Sequence, residues 1–129
     1  RTDAISTRRL DDSIKRKQSF SKLGVDILFI EAVKNKEDMK RIIKEVPGHH
    51  MLNLIEDGET PLLEINEIEE IGYKIAVMPL TLMSASVKTM QECLNNMKNK
   101  VYNKNVSKFS DLRDIVGFNE YYDIEDKYK

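Results

Sequence analysis

The chain has 129 residues, about half of the ~250 usual for a closed eight-fold barrel; 33% are charged and 40% hydrophobic, a balance that suits one globular domain. Lys and Arg number 21 and Asp and Glu 22, for a formal net charge of −1, so no charge excess draws the chain to nucleic acid or anionic lipid. No apolar run approaches the ~20 residues a membrane helix needs, and the single cysteine, Cys93, excludes an internal disulfide and any multi-cysteine metal site.

The polar, charged N-terminus does not read as a signal peptide. One thiol fits a reducing compartment such as the cytosol, so a cytoplasmic location is expected. Arg1 stands where an initiator Met is usual, and the chain is expected to be part of a longer polypeptide.

In chain order, Arg1-Thr2-Asp3-Ala4 reads as the end of a strand. Residues 10–23 predict a helix with Leu10, Ile14 and Leu23 inward, extended by Phe20 or Ser21, and Gly24 as its C-cap. Lys17 falls near the inward side. Residues 25–30 are almost continuously apolar, as in a strand covered on both faces. Asn35 suits an N-cap, with Glu37 and Asp38 in the first turn. Met39, Ile42, Ile43 and Val46 form the apolar stripe of that helix, and Pro47-Gly48 stops it.

Residues 50–55 predict the next strand and 56–61 an acidic loop with turn chemistry. A short helix over 65–71 ends at Gly72, and 73–78 is the last strand. A long helix over about 82–101 carries Met83, Val87, Met90, Leu94, Met97 and Val101 in steps of four and three. That is a narrow seam for packing on a partner helix. A polar connector over 102–108 leads to a short helix capped by Ser110 and ending at Gly117. A final charged helix or tail covers 119–129. Residues 1–101 are expected to form one unit and 102–129 a helical extension.

A short apolar run followed by a helical stretch thus recurs four times. Such alternation implies an α/β fold of parallel strands joined by crossovers, with its chemistry at the C-terminal strand ends. Those ends carry Arg1, Glu31 and Asn53: a planar fork for carboxylates, a carboxylate able to hold a proton, and a neutral donor. Four units make half of a (β/α)8 barrel, with open sheet edges and an uncovered inner face. The half needs its missing partner half, a second copy, or a rearranged packing.

Other candidates read as structural. His49 and His50 precede their strand, at the barrel end that serves stability, and have no spaced ligand partners. Cys93 reads as a small packed hydrophobe. The acidic run 56–59 lacks EF-hand spacing.

Several motifs resemble the phosphoenolpyruvate mutase/isocitrate lyase superfamily in order and spacing. They are Arg1-Thr2-Asp3-Ala4, Leu10-Asp11-Asp12, Gly24-Val25-Asp26, Phe29-Ile30-Glu31-Ala32, Val46-Pro47-Gly48, Asn53, Glu56, Gly58, Thr60-Pro61-Leu62-Leu63, Gly72-Tyr73 and Met78-Pro79-Leu80. The resemblance is to the C-terminal half, in the branch of 2-methylisocitrate lyase and carboxyphosphonoenolpyruvate phosphonomutase. It implies a (β/α)8 barrel with extra C-terminal helices, acting with Mg²⁺ on small α-keto or 2-hydroxy carboxylic acids through an enolate-type intermediate. In that likeness Arg1 and Asn53 bind substrate carboxylate and Glu31 lines the reacting centre as a catalytic group. It also implies that the long helix is exchanged between subunits, which favours a homo-oligomer through Met83 to Val101.

The departures from the family narrow these expectations. The family's metal-binding acids and its Lys-Lys-Cys-Gly-His loop belong to the earlier half, so no metal is expected on this chain alone. Cys93 has no flanking Gly-His. Ser84 and a position near Phe109 stand where the tricarboxylate lyases carry arginines, with Arg113 only loosely placed, and Ile55 replaces a Thr. A substrate smaller than a tricarboxylate is expected. Two functions follow: part of a Mg²⁺-dependent lyase or phosphonomutase, inactive alone, or a non-catalytic half-barrel that assembles through its sheet edges and long helix.

Overall fold

The computed structural model describes residues 1–7 and 9–129. Its elements are α1 (Ala4–Thr7), α2 (Leu10–Lys22), β1 (Ile27–Phe29), α3 (Lys36–Glu45), β2 (His49–Asn53), α4 (Ile65–Ile71), β3 (Ile75–Val77), α5 (Thr81–Lys98), α6 (Phe109–Ile115) and α7 (Phe118–Asp126). They fall into two compact units, Arg1–Ser86 and Val87–Lys129, and α5 contributes to both.

The first unit is a parallel sheet in the order β1-β2-β3. Ile27 pairs with His49 and Phe29 with Met51; Met51 pairs with Ile75 and Asn53 with Val77. The α3 and α4 crossovers make this parallel order feasible. Thr2 adds a single parallel bridge to Ile30. Its N–H donates to the Phe29 carbonyl and its own carbonyl accepts from the Glu31 N–H, both at 3.0 Å. Where four strand ends are expected, the described residues hold three strands and one bridging residue.

Strand alternation sorts the side chains. Leu28, Ile30, His50, Leu52 and Leu54 point one way and are 1–3% exposed. With Ile14, Val33, Met39, Ile42, Val46, Ile68 and Tyr73 they form the core. The opposite face is apolar and partly open: Ile27 is 46% exposed and Ile75 36%. Parallel sheets are ordinarily covered on both faces. The expectation of a first strand covered on both sides therefore fails at Val25 and Ile27, because among the described residues no second layer lies on that face.

Local chemistry explains the helix ends. The Asn35 side chain accepts from the Asp38 N–H at 2.8 Å, satisfying a donor that the first turn cannot pair. Asn35→Ala is expected to lower stability by about 1 kcal/mol, read as a shift of the urea midpoint at unchanged slope. Gly48 has φ +127°, and a Cβ there meets Leu28 Cδ1 at 2.9 Å, so Pro47-Gly48 is a stop that only glycine completes.

Three expectations are corrected. Leu23 is the C-cap of α2 and exposed; Ser13 and Lys17 share the buried face with Ile14 instead. The long helix ends at Lys98 rather than Val101, because Lys100 turns left-handed with φ +58°. The N–H groups of Lys100 and Val101 then donate back to the Met97 and Asn96 carbonyls at 3.0 and 2.9 Å, a Schellman closure. Ser110 lies inside α6 and donates to Asp111 at 3.0 Å; the cap is Lys108, with no side-chain bond.

The second unit is all helical. Arg113 lies 5.4 Å from the centroid of the Tyr122 ring, and Asn119 donates to Asp114. None of the residues of α5, α6 or α7 is buried. Met83, Val87, Met90, Leu94, Met97 and Val101 are 45–65% exposed among the described residues, so the stripe legible in the sequence is largely open.

The N-terminal end of the sheet buries charge. Lys17 and His50 are each 1% exposed, and His50 Nε2–H donates to the Val46 carbonyl at 2.8 Å. The His50 ring meets Tyr73 edge-on at 6.3 Å. Burial holds the His50 pKa below its ordinary 6.5, and nearby Lys17 pushes the same way; Lys17 is itself lowered by burial. A histidine depressed in the folded state contributes stability that is present above its unfolded value and lost as pH falls toward the folded one. Stability is therefore expected to fall between pH 7 and 5, by at most about 1.4 kcal/mol per pH unit for one proton. His50→Gln, which keeps an N–H donor, should flatten that slope in chemical denaturation.

Candidate functional site

The C-terminal ends of the strands bring the three expected residues together. Thr2 is held by its bridge to Ile30, which carries Arg1 to the end of β1. The Arg1 guanidinium reaches the Glu31 carboxylate at 3.0 Å and the Asp3 carboxylate at 2.7 Å. It also lies 5.4 Å from the centroid of the Phe29 ring, a cation–π distance. Arg1 is therefore seated between two carboxylates and an aromatic face. Asp3 raises the pKa of Arg1, and Arg1 in return holds the Asp3 carboxyl below its ordinary value.

Glu31 follows β1 and is partly buried. Its Oε2 accepts from the Asn53 amide at 3.4 Å, and its Oε1 accepts from the Ala32 N–H at 3.2 Å. Ala32 has φ +57°, a left-handed conformation costly for a residue with a side chain. The turn aims that N–H at the carboxylate and fixes its rotamer. Asn53 ends β2, one strand over from Glu31.

Glu31 and Asn53 line a cavity of about 180 Å³ with Ala32, Ile55, Gly58, Glu59 and Thr60. The site thus holds a fixed carboxylate and an amide on one small space, with a fork donor bonded to the carboxylate. That set suits an anionic oxygen ligand: a guanidinium for charge, an amide for orientation and a carboxylate for a proton. Asp3 and Thr60 stand in the sequence motifs without a site role. Asp3 was legible only as the i+2 neighbour of Arg1, and Thr60 carries no sequence signal that separates it from loop chemistry.

The remaining candidates lie elsewhere. His50 sits in the core at the opposite end of its strand. Among the described residues, no group of three or more His, Cys, Asp or Glu side chains could hold a metal ion. Cys93, half-buried on α5, lines a separate cavity of about 240 Å³ with Thr89, Glu92, Asn96 and residues 101–105. Glu56 accepts from the Thr81 hydroxyl at 2.7 Å, which lowers its pKa. Among the described residues, no helix is long and apolar enough to cross a membrane.

No protein-family model matches the chain. It is 33% identical over 132 residues to the 2,3-dimethylmalate lyase of Eubacterium barkeri, covering 99% of this chain and 46% of that protein. It is 29% identical over 125 residues to the 2-methylisocitrate lyase of Aeropyrum pernix, covering 94% and 41%. The crystal structure of 2,3-dimethylmalate lyase, a PEP mutase/isocitrate lyase superfamily member, superposes with a TM-score of 0.82 at 23% identity over 99% of this chain and 46% of that one. Oxaloacetate acetylhydrolase with its product oxalate gives 0.85 at 19% identity, over 98% and 45%. The chain spans less than half the length of these relatives. Its parallel strands, crossover helices and structural likeness are those of a partial (β/α)8 barrel. The chain belongs to the phosphoenolpyruvate mutase/isocitrate lyase superfamily.

Proposed function

We propose that this chain supplies the carboxylate-binding and proton-handling side of an active site in a Mg²⁺-dependent lyase or phosphonomutase. The substrate is a small α-keto or 2-hydroxy carboxylic acid, and the reaction passes through an enolate-type intermediate. The observation that carries this reading is the convergence of Arg1, Glu31 and Asn53 at the C-terminal strand ends, with Glu31 bonded to both other side chains. Lyase relatives at 33% and 29% identity support the reaction class.

In this reading the Arg1 guanidinium binds a substrate carboxylate and the charge that develops on the enolate. Asn53 donates to the same acid without adding charge. Glu31 holds or moves the proton at the reacting carbon, its direction fixed by the Ala32 N–H. Ile55 and Ser84, which bring no charge, limit the substrate to fewer carboxylates than a tricarboxylic acid has.

The groups on this chain do not fit a Mg²⁺ site. Asp3 and Glu31 are both engaged by Arg1, and a guanidinium between two carboxylates competes with a hard cation for the same oxygens. The ion belongs, in this reading, to acidic residues outside these 129, and the roles above do not depend on it. The 129 residues by themselves turn nothing over.

The test is turnover. The intact protein carrying this chain, with Mg²⁺, is offered 2-hydroxy dicarboxylates and tricarboxylates, and release of a 2-oxo acid is followed by hydrazone absorbance. A phosphonate arm is followed by phosphorus NMR. Activity on a dicarboxylate or a phosphonate supports the reading. Activity confined to tricarboxylates, no activity on any of the three classes, or full activity from the 129 residues alone overturns it.

A further inference from the structure

One wall of the strand-end cavity is the loop over 56–60, and its structure is more fixed than a surface loop needs. The Gly58 N–H donates to the Ile55 carbonyl at 2.9 Å. A Cβ on Gly58 meets that same oxygen at 2.9 Å, so only glycine allows the chain to turn back this closely. Asp57 is left-handed at φ +57°. The Thr81 hydroxyl fastens Glu56 at 2.7 Å, and Lys34 pairs with Glu59 at 3.4 Å. Pro61 restricts the backbone of Thr60 from the other side.

This loop delivers Thr60 to the cavity. Thr60 is 8% exposed and lines the same space as Glu31 and Asn53. Its hydroxyl makes no side-chain hydrogen bond among the described residues, and since the buried unpartnered hydroxyls are those of Ser13 and Tyr73, the Thr60 oxygen still reaches open space. Its neighbours in the wall, Ala32 and Ile55, offer only apolar side chains. Glu31 is bonded to Arg1 and to Asn53, and with Asn53 it lines this cavity beside Thr60.

We propose that Thr60 is a specificity-determining residue whose hydroxyl binds the polar group of the acid farthest from Arg1. This rests on the function proposed above. On this proposal a four-carbon hydroxydicarboxylate engages both the Arg1 cluster and Thr60, and a two-carbon diacid engages the Arg1 cluster alone.

The experiment is calorimetric binding of malate and of oxalate to the intact protein with Mg²⁺. Thr60→Val, which keeps the shape and removes the hydroxyl, is expected to weaken malate about 5–10-fold, the loss of one neutral hydrogen bond. Oxalate should stay within about twofold, and Thr60→Ser should restore malate binding. Thr60→Ala against Thr60→Ser repeats the hydroxyl contrast without the methyl, should the valine fold poorly. Unchanged malate binding in Thr60→Val, equal weakening of both acids, or failure of the serine to rescue overturns the proposal and leaves the function standing. If the unaltered protein binds neither acid, this proposal falls, and the function is judged by its turnover test.

Discussion

Arg1→Met in the intact protein is expected to lower kcat/KM by about 10²–10³-fold, the usual loss on removing a donor that meets transition-state charge. The guanidinium does two things at once. It offers a planar fork to an anionic oxygen, and it neutralises Asp3 and Glu31, which it contacts at 2.7 and 3.0 Å. Without it, a substrate carboxylate approaches two carboxylates with no intervening cation. Arg1→Lys keeps a charge but loses the fork, so it should recover only part of the activity. Arg1 is exposed, so the melting temperature should change little. Glu31→Gln should lower kcat more than it raises KM, since the amide keeps the contact to Asn53 and loses the proton function. The double variant should cost less than the product of the two single losses, because the groups act as a pair. Activity in Arg1→Met close to that of the unaltered protein counts against the whole reading of the site.

Period and punctuation carried most of the fold. The stripe of Met39, Ile42 and Val46, the cap at Asn35 and the stop at Pro47-Gly48 each say the same thing about α3, and its ends follow. The strand ends were legible because a parallel crossover forces them to one side, and this is why Arg1, Glu31 and Asn53 meet although 52 positions separate the first from the last. What stayed hidden depends on three-dimensional neighbours. Lys17 disturbs the helix stripe in sequence, yet its stem is buried with the Phe20 ring 5.2 Å from its ammonium. Leu23 continues the stripe in sequence, yet falls past the last turn, where the C-cap turns outward. The left-handed Lys100 ends α5 without a glycine to announce it. Asp3 and Thr60 became visible only when the Arg1 guanidinium and the cavity had been located, since a carboxylate at i+2 or a threonine before proline is common in any loop.

The largest effect on assembly is expected from the α5 seam. Its six apolar residues lie on one stripe and stand 45–65% exposed, whereas a soluble monomer seldom leaves so continuous an apolar patch uncovered. Their spacing of four and three residues suits a helix from another copy packing knobs into holes. Replacing Met90 and Leu94 together by glutamate places two charges at the middle of that stripe. Each charge is costly in a desolvated interface without a partner, so the pair is expected to shift the intact protein from an oligomer to its monomer in sedimentation velocity at micromolar concentration. The helix itself should persist, because glutamate is a good helix former and far-ultraviolet dichroism should lose little. The same two changes on the opposite, polar face, at Lys88 and Asn95, serve as the control and should leave the sedimentation coefficient unchanged. Dissociation by the control pair, or an oligomer that survives both glutamates on the seam, means that the subunits meet through some other surface and that the stripe is covered from within the intact polypeptide.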